Sequence, residues 1–314
     1  MDFKHRELKG SYLPMIKKGD KINTETRKAQ MELQNREIAE TLGHIKNKIL
    51  VMSGKGGVGK SSVAAYLSVA LAKRGYQVGL MDVDLHGPSI PRILGLRGSP
   101  GFNGYQGKML PVRYSPNLEV ISIEILMGEN KDAATIWRGP LKIGAIRQFI
   151  SDIQWSDLDY LVIDSPPGTG DEPLTVAQTI PDARALIVTT PQEISLADVR
   201  KSINFCRQVN MAILGLVENM SGLKCPYCGT VIEVFKTLGG RETARKENLR
   251  LLATLPLELE VVKEGDAGDI SLLDNQELPM AWELNKMVDE IVKLTDFKTR
   301  STPSNEIRSS KQVN

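Results

Sequence analysis

The sequence predicts an α/β protein with a doubly wound, mostly parallel sheet built around a phosphate-binding loop. Three observations carry this. Short apolar runs alternate with longer helical patterns along the chain, the order that produces parallel strands linked by crossover helices. Several runs, such as Leu161-Val162-Ile163, are apolar throughout, as expected of strands covered on both faces. Residues 54–61 read Gly-Lys-Gly-Gly-Val-Gly-Lys-Ser and meet G-x-x-x-x-G-K-[ST] at Gly54, Gly59, Lys60 and Ser61, between an apolar strand and a helix.

The elements follow in order. Residues 1–47 are polar with weak helical periodicity (Met31, Leu33, Ile38, Leu42) and form a partly flexible helical arm. Strands are expected at 48–53, 77–82, 118–123, 159–164, 184–190, 212–218 and 251–254. Helices are expected at 60–74, 133–153, 171–180, 195–209, 240–249 and 278–295. Residues 98–116, rich in Gly and Pro, suggest a surface excursion or hairpin. The helix at 278–295 carries Met280, Leu284, Met287, Val288, Ile291 and Val292 at helical spacing. Its polar face has few lysines, which favours packing on the sheet over lying on an anionic membrane. Residues 297–314 read as a disordered tail. No repeat or linker divides 48–296, which is expected to be one nucleotide-binding domain.

Composition narrows the class. With 41% apolar and 25% charged residues in 314, the chain is an ordinary soluble globular one. No run approaches the roughly 18 apolar residues of a membrane span, and the charged N-terminus lacks a secretory core. A cytoplasmic protein is expected. A net charge of +2 argues against a large basic nucleic-acid surface. The three cysteines favour a metal or redox site over a disulfide framework.

The loop chemistry follows from its residue types. Gly54, Gly56, Gly57 and Gly59, with the small Val58, let successive backbone N–H groups curl around phosphate oxygens. The helix opening at Lys60, Ser61 and Ser62 turns its positive end toward the same anion. Lys60 neutralises β- and γ-phosphates, and the Ser61 hydroxyl is placed to ligate Mg²⁺. Asp82 and Asp84 follow the second strand; one reading sets Asp82 near the metal's water shell and Asp84 behind the attacking water, the other makes them turn and capping residues. Asp164, ending an apolar strand, has the Walker B arrangement that holds Mg²⁺. Gly168, in the stiff loop that follows, can offer its N–H to a γ-phosphate. Asn219, just past the strand ending at Val217, can present donor and acceptor to adenine, though a lone Asn is equally a turn residue. His86 has no sequence partner and is taken as structural or exposed.

Lys55 is a second lysine in the loop, either a solvated charge or a functional one. Gly-Lys-Gly-Gly-x-Gly-Lys-[Ser/Thr] resembles the deviant-loop ATPases, the relatives of MinD, ParA, the arsenite pump and the nitrogenase iron protein. That resemblance implies a homodimer in which Lys55 reaches the partner's nucleotide, as an arginine finger does.

Cys225-Pro226-Tyr227-Cys228 leaves three readings open. A thiol–disulfide site needs a helix N-terminus, whereas residues 229–232 look extended. A zinc site needs two more ligands, and Cys206 lies mid-helix. Two chains supplying two cysteines each satisfy either Zn²⁺ or a [4Fe–4S] cluster on a two-fold axis.

Read together, the loop, Asp82-Val83-Asp84-Leu85-His86-Gly87-Pro88-Ser89, Trp137-Arg138-Gly139-Pro140, Asp164 to Asp171, Thr189-Thr190-Pro191-Gln192-Glu193, Val217-Glu218-Asn219-Met220-Ser221 and the cysteine pair resemble the Mrp/ApbC family of iron–sulfur cluster carrier ATPases over roughly residues 45–295. The resemblance implies a cytosolic, slowly hydrolysing ATP-dependent homodimer. It would hold a labile [4Fe–4S] cluster between paired Cys225 and Cys228 and pass it to apo-proteins, working with cluster-assembly scaffolds. A positioning ATPase of the MinD/ParA sort without a cluster, and a zinc-bridged dimer, are the alternatives. Eukaryotic cytosolic relatives carry a four-cysteine N-terminal motif, and residues 1–47 have no cysteine.

Overall fold

Strand β1 (Ile45–Ser53) is the axis of the fold, and its alternating side chains feed two separate cores. The computed structural model describes residues 24–85, 87–96, 108–124, 139–225, 228, 230–233 and 239–296. Ile49 and Val51 point to one face, where they meet Val63, Leu67 and Leu71 of α2 (Lys60–Lys73) and Leu284, Met287 and Val288 of α9 (Pro279–Thr295). Leu50 and Met52 point to the other, against Phe149 and Ile150 of α4 (Gly139–Asp152), Val176 of α5 (Asp171–Thr179) and Ile203 of α6 (Glu193–Gln208). A strand buried on both faces has no room for the polar–apolar alternation of a half-exposed one.

The remaining strands of the main sheet are β2 (Val78–Asp82), β3 (Val112–Ser115), β4 (Leu118–Ser122), β5 (Leu158–Asp164), β6 (Arg184–Thr189), β7 (Ile213–Glu218) and β10 (Leu251–Thr254). Their order is β10-β7-β6-β1-β5-β2-β4-β3. All neighbours are parallel except β3 with β4, which form a hairpin. After β1 the chain steps over β5's place to β2, and after β5 it crosses β1 to β6. The crevice at the carboxyl ends beside β1 is therefore a switch point, where ligands bind in open α/β sheets. The doubly wound, mostly parallel sheet is as expected.

Several details differ from expectation. β1 begins at Ile45, not residue 48. Lys48 hides there: it is 5% exposed, and its Nζ donates to the Ile45 carbonyl and pairs with Asp182. The arm contains α1 (Thr24–Gly43), which docks on the body through buried Ile38 and Leu42. Arg147 of α4 donates to Gln34 and Asn35 of the same helix. Within 98–116, residues 108–116 are described and contain β3. The helix expected at 133–153 is described from Gly139, and its earlier residues lie outside the described ones. So do His86, Trp137, Arg138 and residues 297–314. The short α3 (Ile90–Ile93) and α8 (Leu259–Ala267) were not expected. Met280, Leu284, Met287, Val288 and Ile291 of α9 are buried, so this helix packs on the sheet as anticipated.

Phe149 is fully buried and is the largest side chain beneath α4. Phe149→Ala is expected to lower unfolding free energy by about 3–5 kcal/mol through lost burial and a residual cavity, measured by denaturant unfolding.

Candidate functional site at the strand ends

The carboxyl ends of β1, β2, β5, β6 and β7 gather a set of buried polar side chains. Ser53, Lys60, Asp82, Asp84, Ser122 (at the end of β4), Asp164, Thr189, Glu218 and Asn219 are all buried. The phosphate loop joins β1 to α2. Gly56 and Gly57 are exposed, Gly54, Lys55, Gly59, Ser61 and Ser62 are partly buried, and Val58 and Lys60 are buried. Gly54 sits on α6 so closely that a Cβ would lie 2.3 Å from the Asp198 backbone. Gly59 has φ +78°, and a Cβ there would meet the Asn219 amide nitrogen at 2.3 Å. Only glycine satisfies both demands.

Lys60 forms a buried ion pair with Asp164, which is fully buried and ends β5. The same ammonium donates to the Ser61 hydroxyl at 3.3 Å. The other oxygen of Asp164, Oδ2, is buried without a hydrogen-bond partner. Asp82 and Asp164 are register partners on adjacent strands. Burial pushes the Asp82 carboxyl up to about 8, with help from the negative charge of Asp164 and against the N–H groups of Asp84 and Ile90 and the charge of Lys60. Burial also raises Asp164; Lys60 opposes the shift and Asp84 adds to it. The unpartnered Asp164 oxygen beside the Ser61 hydroxyl and the Lys60 ammonium suits a cation that arrives with nucleotide phosphates completing its ligand set.

β2 ends at Asp82, and the Asp84 N–H turns back to Asp82 Oδ1 at 3.1 Å. Asp82 Oδ2 accepts from the Ile90 N–H, at the first residue of α3, and from Ser122. Asp82 therefore has the turn-and-capping arrangement, and Asp84 lies beyond the strand, where it accepts from the Gly87 N–H. Gly168 has φ +86°, but its N–H donates to the Ser53 carbonyl at 2.8 Å, so donation to a phosphate requires that bond to open. Asn219 Nδ2 donates to the Val58 carbonyl at 2.9 Å. Its amide donor braces the loop. Lys55 Nζ donates to Gln192 Oε1 of its own chain at 3.2 Å.

The cysteine pair lies on a separate two-stranded hairpin of β8 (Leu223–Lys224) and β9 (Val231–Ile232). The Cys225 N–H donates to the Thr230 carbonyl, and among the described residues no helix begins at either sulfur. Cys228 is exposed, and its Sγ lies 3.4 Å from the Thr230 hydroxyl. The hydroxyl and backbone of Thr230, and then the Cys225 thiol, hold its pKa below the usual thiol value. Cys206 is buried in α6 against Met52, and burial pushes its thiol up to about 12. Among the described residues, no group of three or more His, Cys, Asp or Glu side chains could hold a metal ion. The sequence motifs assign no role to Gln192, which holds Lys55, or to Glu218, which accepts from the Ser221 hydroxyl and the Gly240 N–H.

A strand–glycine loop–helix with a buried lysine, a strand-end aspartate and a second loop lysine defines a P-loop NTPase of the deviant-loop class. The chain belongs to the family described as "NUBPL iron-transfer P-loop NTPase", of the ParA group, whose model matches residues 44–292. It is similar to an "Iron-sulfur cluster carrier protein" of Methanocaldococcus jannaschii, 43% identical over 84% of this chain and 90% of the relative. It is also similar to the "Cytosolic Fe-S cluster assembly factor CFD1" of Eremothecium gossypii, 46% identical over 70% of this chain and 80% of that one. Among solved structures, a nucleotide-binding protein of Archaeoglobus fulgidus in complex with ADP aligns with a TM-score of 0.68. That pair is 39% identical over 79% of this chain and 96% of the other. The cell division ATPase MinD of Pyrococcus furiosus aligns with a TM-score of 0.58 at 25% identity, over 79% and 99% of the two chains. Among the described residues no helix is long and apolar enough to cross a membrane.

Two measurements check these environments. The folded state holds the Asp82 proton more tightly than the unfolded state does, so its stabilising contribution is complete below about pH 4 and is lost as pH rises to about 8. Metal- and nucleotide-free protein is expected to melt progressively lower across that window, and Asp82→Asn to flatten the slope. Brief iodoacetamide treatment at neutral pH is expected to label Cys228 first and leave Cys206 unlabelled, as read by peptide mass spectrometry.

Proposed function

We propose that the protein is an ATP-dependent carrier that holds a [4Fe–4S] cluster between two copies of the chain and delivers it to apo-proteins. The observation that carries this reading is the cysteine pair, with Cys228 exposed and Cys225 partly buried, on its own hairpin beyond the nucleotide-site strand β7. Two thiolates are half the ligand set of such a cluster, and an isologous pair of chains supplies the rest. The names of the relatives point the same way. Reducing cytoplasm, where thiols stay free, is the compartment this chemistry requires.

On this reading the glycine loop cradles the phosphates, Lys60 neutralises their charge, and Asp84 orients the attacking water. Ser61 and Asp164 would hold Mg²⁺, whose charge offsets that of the β- and γ-phosphates when it is bound. Lys55 leaves Gln192 to reach the partner's nucleotide, where a cation supplied in trans stabilises the transferring phosphoryl group. Gly168 can join it once its bond to Ser53 opens, and Asn219 keeps the loop in shape beside the base. Delivery is thiolate exchange without redox change. A client thiol binds iron as it loses its proton, and the displaced Cys225 or Cys228 thiolate takes one up.

Anaerobic reconstitution tests the reading. Wild-type protein is expected to turn brown and carry one [4Fe–4S] cluster per two chains by iron and sulfide analysis, whereas a Cys225→Ala/Cys228→Ala variant carries none. A full cluster on the double variant overturns the assignment, and stoichiometric zinc in anaerobically purified wild type selects the zinc-bridged dimer. Lys55→Ala is expected to lower ATP turnover by about 10³-fold or more, by analogy with arginine fingers, while leaving ADP affinity within a few-fold in a fluorescence titration.

A further inference from the structure

Glu218 is the last residue of β7 and only 2% exposed. Neither the phosphate chemistry nor the cysteine chemistry uses it. Its Oε1 accepts from the Ser221 hydroxyl at 2.8 Å, and its Oε2 accepts from the backbone N–H of Gly240. Ser221 precedes the hairpin that carries the cysteines, and Gly240 lies in the first turn of α7 (Gly239–Lys246), which follows it. A single carboxyl group therefore clasps both ends of the segment that bears Cys225 and Cys228. A Cβ at Gly240 would lie 2.6 Å from Glu218 Oε2, so the helix start has been brought against the carboxyl with no space to spare.

The next residue ties the same point to the nucleotide loop. Asn219 donates from its side chain to the Val58 carbonyl and from its backbone to Thr189 at the end of β6. Beyond it the path to the cysteines is pinned rung by rung. Ser221 N–H donates to the Leu255 carbonyl, and Leu257 N–H to the Gly222 carbonyl. Met220 and Gly222 both adopt positive φ, so the path bends sharply here. The Val58 carbonyl, Asn219 and its neighbour Glu218 thus form a continuous bonded path from the glycine loop to both ends of the hairpin segment.

We propose that Glu218 is a positioning residue that links the phosphate loop to the cysteine hairpin, so that nucleotide and cluster affinities depend on each other through this clasp. The proposal rests on the carrier reading above. Coupling of this kind is reciprocal, with typical factors of about 5- to 150-fold between two sites. Glu218 lies outside the glycine loop and the cysteine pair, and its carboxyl is held by the Ser221 hydroxyl and the Gly240 N–H.

The test uses full-length protein, with and without reconstituted cluster, and measures the dissociation constant of a fluorescent ADP analogue in each state. The ratio of the two constants is the readout, with melting temperature and iron content recorded alongside. Wild type is expected to give a ratio of at least about 5. Ser221→Ala removes one arm of the clasp and Gly240→Ala displaces the other. Both are expected to retain cluster and nucleotide binding while the ratio falls toward 1. Glu218→Gln can accept from Gly240 and donate to Ser221, and is expected to restore most of the ratio. A purely structural Glu218 would lower melting temperatures and leave the ratio intact. A wild-type ratio of 1, or an unchanged ratio in both Ser221→Ala and Gly240→Ala, overturns the clasp. The carrier reading falls separately, if the double cysteine variant keeps its cluster.

Discussion

The buried pair of Lys60 and Asp164 is the constraint around which the site is organised. Neither charge is accessible to water, and a buried pair is tolerated only where geometry and further hydrogen bonds offset the desolvation of both ions. β1 and β5 run parallel in register, with Val51 beside Asp164, and so deliver the aspartate to the mouth of the loop that begins after β1. α2 then returns Lys60 over the same strand ends. Removing either partner would strand a charge, so the loop is held in a phosphate-ready form by the sheet beneath it. The raised carboxyls of Asp82 and Asp164 reflect the same crowding. Under the proposed function, this poorly solvated corner would become favourable when a cation and phosphates enter together.

The cysteine hairpin is built on different terms. It has two short strands, lies outside the main sheet, and relies on contacts with residues 255–257 and on the two hydrogen bonds to Glu218. A small hairpin has little stability of its own, and such elements are drawn from the low-stability end of a protein. That suits a site whose ligand must arrive and depart. The exposed Cys228 and the buried Cys206 show the same division of labour, with reactivity at the periphery and inert packing in the core.

Much of this was legible in the sequence where the signal is local. The glycine loop, the strand ending in Asp164 and the packed C-terminal helix each declare themselves within a dozen residues. The expected strand starts three residues late because Lys46 and Asn47 break the apolar run after Ile45; Asn47 and Lys48 are nonetheless buried, Lys48 beside Asp182. The arm's weak periodicity had a physical reason. Ile38 and Leu42 are buried on the body, while Met31 and Leu33 are 59% exposed, so the stripe covers only the last turns of α1. Gly168 and Asn219 were given outward-facing roles because sequence shows the donor and not its partner. Their bonds to Ser53 and Val58 arise from loops folding back over the sheet. The roles of Gln192 and Glu218 were invisible for the same reason, with partners 137 and 22 residues away.

The bond between Lys55 and Gln192 has a consequence for cellular economy. A single copy holds this extra cation on its own Gln192. Under the proposed function, fuel consumption would depend on encounters between copies, with scarce molecules idling with nucleotide bound and crowded ones burning it. The loop that grips the nucleotide would also act as a gauge of how many of its own kind are nearby.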